Sequence, residues 1–142
     1  MLRISFYELN TIEENKLEFV VIACRYKKKW IYVKHKQRIT WEIPGGHKEK
    51  DEDIDSAAKR ELYEETGAKK FDIHPICIYS VDRDNNKSYG QLYYAEIYRF
   101  NDLPNYEIEK IQLFDSMPSN LTYPLIQPSL LNELKKYKTI VK

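Results

Sequence analysis

Nothing in this chain approaches the unbroken apolar run that a membrane-spanning helix needs, although hydrophobic residues make up 42% of it. The amino end, Met1-Leu2-Arg3-Ile4-Ser5-Phe6, lacks the apolar stretch and small-residue cleavage site of a secretory signal. A soluble protein with a cytoplasmic address and no membrane partner is therefore expected. Cysteine is scarce: Cys24 and Cys77 stand far apart in apolar, strand-like surroundings, which excludes a CxxC redox pair or a zinc knuckle and leaves two buried free thiols. An excess of one charge is missing as well. Lys and Arg number 23 against 22 Asp and Glu, for a net charge of +1, too weak a field to draw in a long polyanion, so duplex nucleic acid is not an expected partner. There is no internal repeat and no linker, and 142 residues suit one domain with one core, residues 1–142.

What is present reads as alternating strand and helix. β-Branched and aromatic residues cluster between turn formers at about Arg3 to Glu8, Glu18 to Arg25, Trp30 to Lys34, Thr40 to Ile43, Phe71 to Val81, Gln91 to Phe100 and Glu109 to Phe114, each predicted as a strand. Asp53 to Thr66 is rich in Ala, Glu, Lys and Arg and predicts a helix, with Gly67 placed to close it in the left-handed conformation. A second helix is expected from Ser129 to Tyr137, after Pro118, Pro124 and Pro128. Asp82 to Ser88 reads as a turn between two long strands, and Lys27-Lys28-Lys29 as a hairpin turn. The irregular order of elements predicts an α/β domain, a mixed sheet flanked by helices.

The chemistry is concentrated in residues 46–68. On a helix, Glu61, Glu64 and Glu65 stand at i, i+3 and i+4 and share one face spanning roughly 100°. Three like charges there repel, unless a cation sits among them and turns repulsion into ligation. Oxygen donors of this kind, with positions left for water and phosphate, suit Mg²⁺ or Mn²⁺ rather than zinc. Ile54, Ala58 and Leu62 form an apolar stripe that fastens the helix to a sheet. Upstream, Pro44-Gly45-Gly46 makes a tight turn in which backbone can come close to an ion or phosphate.

Gly46, Glu52, Arg60, Glu61, Leu62, Glu64, Glu65, Gly67 and Ala68 fill, in register, the pattern G-x5-E-x7-R-E-U-x-E-E-x-G-U, where U is bulky and aliphatic. Only Ala68 departs from it, being small. The stretch resembles the Nudix box, and the chain is similar to the MutT-like branch of the Nudix hydrolases; a chance match is on the order of one in ten million. The resemblance implies an α/β/α sandwich and hydrolysis of a phosphoanhydride bond in a nucleoside diphosphate-linked compound, with a nucleotide as the small-molecule partner. It implies Mg²⁺ (or Mn²⁺) held by Glu61, Glu64, Glu65 and the Gly45 carbonyl, with Glu61 also a candidate for handling the attacking water. Arg60 and Glu52 are implied to orient the helix and its carboxylates, and Gly46 to support the site. A further acidic residue near the end of the domain, a general base or extra ligand, is best matched by Glu107, with Glu109 as runner-up.

The expected reaction is direct displacement by water, with Glu107 or Glu61 accepting its proton; a nucleoside triphosphate would give the monophosphate and pyrophosphate. An oxidised guanine nucleotide such as 8-oxo-dGTP is one candidate substrate, although Asn120, in the segment where relatives often carry a base-reading asparagine, does not align with that position. Alternatives are a non-catalytic nucleotide sensor on the same scaffold and an RNA 5′-pyrophosphohydrolase, the second unsupported by the near-neutral charge. Asp51, Asp53 and Asp55 do not open a calcium loop, because Ser56 and Leu62 occupy its glycine and glutamate positions. His35, His47 and His74 are read as structural. Tyr93, Tyr94, Tyr98 and Tyr123 are candidates for base stacking, or for the core.

Overall fold

The computed structural model describes residues 1–137. Its seven strands are β1 (Leu2–Tyr7), β2 (Leu17–Tyr26), β3 (Lys29–His35), β4 (Gly45–His47), β5 (Ala68–Arg83), β6 (Asn86–Phe100) and β7 (Ile108–Phe114). They form one sheet in the order β1-β5-β6-β2-β3-β7, with β4 added alongside β2. The β2–β6 pair is parallel and the other strand pairs are antiparallel, which makes the sheet mixed. The two helices are α1 (Ile54–Thr66) and α2 (Gln127–Leu134). None among the described residues is long and apolar enough to cross a membrane.

Alternation along the strands sends neighbouring side chains into two cores. On β2, Val20, Ile22 and Cys24 join Ile54, Ala57, Ala58 and Leu62 of α1, while Ala23 joins Leu130 and Leu134 of α2. On β6, Tyr93, Ala95 and Ile97 face the α1 core, and Leu92 and Tyr94 face the α2 core. The helices thus cover opposite faces, giving the expected α/β/α layering. Both thiols are buried and free, as the sequence predicts.

α1 follows the sequence closely. Asp53 is the N-cap, its carboxylate accepting from the Ser56 N–H at 2.7 Å, and Gly67 closes the helix at φ 76°. The Lys27 turn is a two-residue hairpin loop: Lys27 and Lys28 both take positive φ, the type I′ geometry that matches strand twist. Elsewhere the structure corrects the reading. The turn expected over residues 82–88 shrinks to Asp84 and Asn85, both at positive φ, because β5 and β6 zip together up to the Arg83–Asn86 pair. The strand expected at residues 40–43 contributes only isolated bridges, Glu42 to Val33 and Trp41 to Leu121, and the Gly45-Gly46 turn is instead the short strand β4 against residues 19–21 of β2. α2 begins two residues early, with Pro128 in its first turn, where a missing N–H costs nothing.

Candidate active site

β2 is shared along its length: its amino-terminal part pairs with β4 and its last residues pair with β3. A cavity of about 810 Å³ opens along this edge, and Glu61, Glu64, Glu65 and Glu107 line it together with Gly45 and Gly46. The three helical glutamates are therefore brought to one place, as their spacing requires. Their side chains retain 12%, 27% and 8% of their exposure, in the order 61, 64, 65, so two of the three carboxyls are nearly out of solvent.

Arg60 organises this face. Its Nε and Nη2 donate to the two oxygens of Glu52 at 2.7 and 3.0 Å, a two-pronged pairing that fixes the guanidinium plane. From that position Nη1 reaches Glu61 at 3.2 Å and Glu64 at 3.4 Å, and Nη2 also donates to the His47 carbonyl at 3.0 Å. The partnership holds the Glu52 carboxyl below the usual carboxylate range. Glu65 is anchored differently, accepting from the Gly45 N–H at 2.9 Å. Gly45 and Gly46 are demanded by close approach: a Cβ on Gly45 would lie 2.3 Å from the Val20 carbonyl oxygen, and one on Gly46 would lie 1.3 Å from Glu61 Oε2.

Burial pushes the Glu61 carboxyl up to about 7; Arg60 pulls it down and Glu64 adds to the rise. Burial likewise pushes Glu65 up to about 8, against the bond from Gly45 and with help from the Glu61 and Glu42 charges. Among the described residues no three acidic, His or Cys side chains already stand in a closed metal-ligating cluster, and the cation serving Glu61 and Glu64 is Arg60. The donor set nevertheless fits a hard divalent ion. It is all oxygen, mutually repelling and desolvated, which is the condition a bound cation relieves.

Glu107 precedes β7, 82% exposed, with Oε2 3.8 Å from His35 Nδ1. Glu109 is turned away into an ion pair with Lys34 and does not line the cavity. Three of the four tyrosines are also accounted for outside the cavity: Tyr93 donates to Asp55 at 2.5 Å, Tyr94 to Glu96 at 2.7 Å and Tyr98 to Asp72 at 2.8 Å. Tyr123 does line it, with the Arg38 guanidinium 5.9 Å from its ring centre. Asn120 donates to the Ile39 carbonyl and stays outside, while His74 is exposed on β5. His47 lines the cavity, its ring edge-on to Phe19 at 4.7 Å.

Sequence reasoning missed His35, Glu42 and Gln127. His35 Nε2 lies 3.2 Å from Glu42 and 3.7 Å from Glu65, buried and without a well-aligned hydrogen bond. Glu42, 7% exposed, also takes Arg38 Nη1 at 3.2 Å. Gln127, at the start of α2, accepts the Ile43 N–H at 2.8 Å. The adjacency of Glu42 to the Pro44-Gly45-Gly46 turn was the one local signal available; His35 and Gln127 carry none.

Residues 11–115 match the NUDIX domain family model. The chain is 33% identical over 104 residues to YtkD of Bacillus subtilis strain 168, provisionally named an 8-oxo-dGTP diphosphatase; the match covers 72% of this chain and 65% of that protein's length. The solved Bacillus subtilis pyrophosphohydrolase BsRppH superposes with a TM-score of 0.78 at 26% identity, over 96% of this chain and 90% of that one. A NUDIX hydrolase from Nitrosomonas europaea shares the fold, with a TM-score of 0.70 at 21% identity over 87% and 91% of the two chains. With the box running from β4 through α1, its three helical glutamates gathered at one cavity and a family match over most of its length, the chain belongs to the Nudix hydrolase family.

Proposed function

We propose that this protein is a Mg²⁺-dependent pyrophosphohydrolase of nucleoside triphosphates. The observation that carries the proposal is the convergence of Glu61, Glu64 and Glu65 on one cavity with Arg60 locked behind them by Glu52. Glu61, Glu64 and Glu65, with the Gly45 backbone beside them, are the residues to hold Mg²⁺ or Mn²⁺. A divalent ion bound there supplies charge neutralisation on the diphosphate and acidifies the attacking water.

The chain's own residues do the rest. Arg60, pinned to Glu52 and to the His47 carbonyl, sets the side-chain torsions of Glu61 and Glu64, so the carboxylates present oxygens in fixed directions. Gly45 does the same for Glu65. Glu107, exposed at the cavity edge, is the candidate to accept the proton from water, with Glu61 as the alternative. No nucleophilic side chain is required, so water strikes phosphorus directly and the products are the nucleoside monophosphate and pyrophosphate. Kinship with YtkD and BsRppH supports nucleotide pyrophosphate chemistry, and an oxidised guanine nucleotide remains within the proposed class.

The test is a Mg²⁺ panel of nucleoside triphosphates, sugar nucleotides and 5′-triphosphorylated RNA, read by pyrophosphate and phosphate release. Pyrophosphate from nucleoside triphosphates is the expected result. Orthophosphate as the sole primary product contradicts it, and Mg²⁺-dependent binding without turnover of any compound assigns the protein as a sensor.

A further inference from the structure

His35 closes β3, and the strand pairings on either side of it bring its ring against the glutamates. Alternation puts His35 on the same face of β3 as Ile31 and Val33, and Ile31 packs into the core beneath α1. Val33 and Glu42 form an antiparallel bridge, with hydrogen bonds of 2.9 and 3.0 Å, so the Glu42 side chain stands on that face too, diagonal to His35. On the other side of β3 the register with β7 slips. Lys34 pairs with Lys110 and His35 with Ile108, which leaves Glu109 as one extra residue, a bulge that bends its strand locally. The Lys36 N–H then donates to the Glu107 carbonyl at 2.9 Å and fastens the chain just past His35.

The imidazole meets the glutamates through one nitrogen. Nε2 lies 3.2 Å from Glu42 Oε2 and 3.7 Å from Glu65 Oε2, is sealed from solvent and has no aligned hydrogen bond among the described residues. A buried polar atom left without a bond calls for an explanation. The other oxygen of each carboxylate is already taken, Glu42 Oε1 by Arg38 Nη1 at 3.2 Å and Glu65 Oε1 by the Gly45 N–H at 2.9 Å. Oε2 is thus the arm left over on each, and both arms lie against the same nitrogen. Two ionised carboxylates that meet at one point repel unless a donor stands between them, and Nε2–H is placed to be that donor. A carboxylate oxygen has two lone pairs, so Glu65 Oε2 can accept this bond and still face a cation.

Resting on the metal-dependent reading above, we infer that His35 is a positioning residue: its Nε2–H, braced by Glu42, donates to Oε2 of the ionised Glu65 and holds that carboxylate in the orientation in which it binds a divalent cation. Gly45 fixes one oxygen of Glu65 and His35 the other, so the ligand is oriented before the cation arrives. Loss of such a partner behind a metal ligand costs about 10- to 100-fold in metal affinity.

Mn²⁺ binding to the intact protein without nucleotide, followed by electron paramagnetic resonance of the free ion, tests this independently of turnover. Glutamine places an amide nitrogen near the position of Nε2 and asparagine one near that of Nδ1, so the two substitutions separate the two nitrogens of the ring. His35→Gln should bind Mn²⁺ within about threefold of wild type, whereas His35→Asn and His35→Phe should bind it about 10- to 100-fold more weakly. The Mg²⁺ concentration for half-maximal turnover should rise in the same order, while the Michaelis constant for nucleotide at saturating Mg²⁺ stays near wild type. Equal Mn²⁺ affinity in wild type and all three variants overturns the inference. An equal loss in all three assigns His35 to packing and overturns it too, and a larger loss in His35→Gln than in His35→Asn moves the contact to Nδ1 and Glu107. If His35→Phe does not fold, the comparison of the two amides decides. Mn²⁺ binding in the expected order without hydrolysis of any nucleotide would defeat the enzymatic reading and leave this one standing; no Mn²⁺ binding by the wild type defeats both.

Discussion

The Glu61 carboxylate occupies the space where a side chain at residue 46 would begin, with Oε2, Cδ and Cγ of Glu61 at 1.3, 2.4 and 3.3 Å from a Cβ placed on Gly46. All three contacts are to the far part of one flexible side chain, whereas at Gly45 the nearest contacts are backbone atoms of Val20 and Val21. The two adjacent glycines therefore fail differently. Gly46→Ala should fold, with a melting temperature near wild type, and lose turnover by more than about 100-fold as Glu61 is pushed aside. Gly45→Ala should lower the melting temperature markedly because β4 must shift off β2. Wild-type activity in a folded Gly46→Ala protein would remove Glu61 from the site.

Glu64 is the most exposed of the three helical glutamates, at 27%, and its nearest cation is Arg60. Replacing it by glutamine removes one negative charge from a crowded face without changing its shape. Metal-free Glu64→Gln should melt at or above the wild-type temperature and be inactive. Activity within about tenfold of wild type at saturating Mg²⁺ would show that Glu64 is not a ligand.

What could be read from the sequence was what one helix determines. The spacing of Glu61, Glu64 and Glu65 and the Gly67 cap are local facts of a 3.6-residue repeat, and α1 reproduces them from Asp53 to Gly67. Arg60 to Glu52, eight residues apart, was reached through the family pattern, since Glu52 lies outside the helix. Gln127 meets Ile43 across 84 residues, and His35 meets Glu65 only because β3 ends at the same cavity. Such pairings depend on how the sheet closes, and sequence periodicity carries no register between distant strands. The Gly45-Gly46 segment was read as a turn for the same reason, because its pairing with β2 is a long-range choice.

Arg60 joins Glu52, Glu61, Glu64 and the His47 carbonyl while keeping only 23% of its side-chain exposure. Arg60→Ala leaves Glu52 and Glu61 without their counter-ion, so stability should fall by about 2 kcal/mol and turnover should fall with it. Arg60→Lys should recover little, since an ammonium cannot reproduce the two-pronged bond to Glu52. A raised Michaelis constant at unchanged turnover number and melting temperature would make Arg60 a substrate-binding group instead.

Glu61 and Glu65 have folded-state values of about 7 and about 8, against an ordinary 4.5. The folded state thus favours their neutral forms. The stability this confers is complete below about 4.5 and is lost as the pH rises through 7 to 8, because the unfolded chain has already released those protons. In chelator, the melting temperature should therefore decline across that interval, and Glu65→Gln should decline less steeply. Mg²⁺ should flatten the wild-type profile by binding the ionised carboxylates. Parallel metal-free profiles for wild type and Glu65→Gln would show that Glu65 is an ordinary ionised carboxylate.

Water as the nucleophile at phosphorus fixes where a solvent oxygen must go. Hydrolysis of a nucleoside triphosphate in oxygen-18 water transfers the label to whichever phosphorus is struck, and the bond to the leaving oxygen breaks opposite it. If Glu61, Glu64 and Glu65, which line one cavity, serve the outer phosphates, attack at the β-phosphorus is expected. Mass spectrometry should then find one labelled oxygen in pyrophosphate and none in the nucleoside monophosphate. Label in the monophosphate would place the attack at the α-phosphorus and the carboxylates one phosphate nearer the sugar. A covalent route, in which a side chain strikes phosphorus and water then releases it, would label the same product and would be revealed instead as phosphorylated or nucleotidylated protein in a single-turnover experiment.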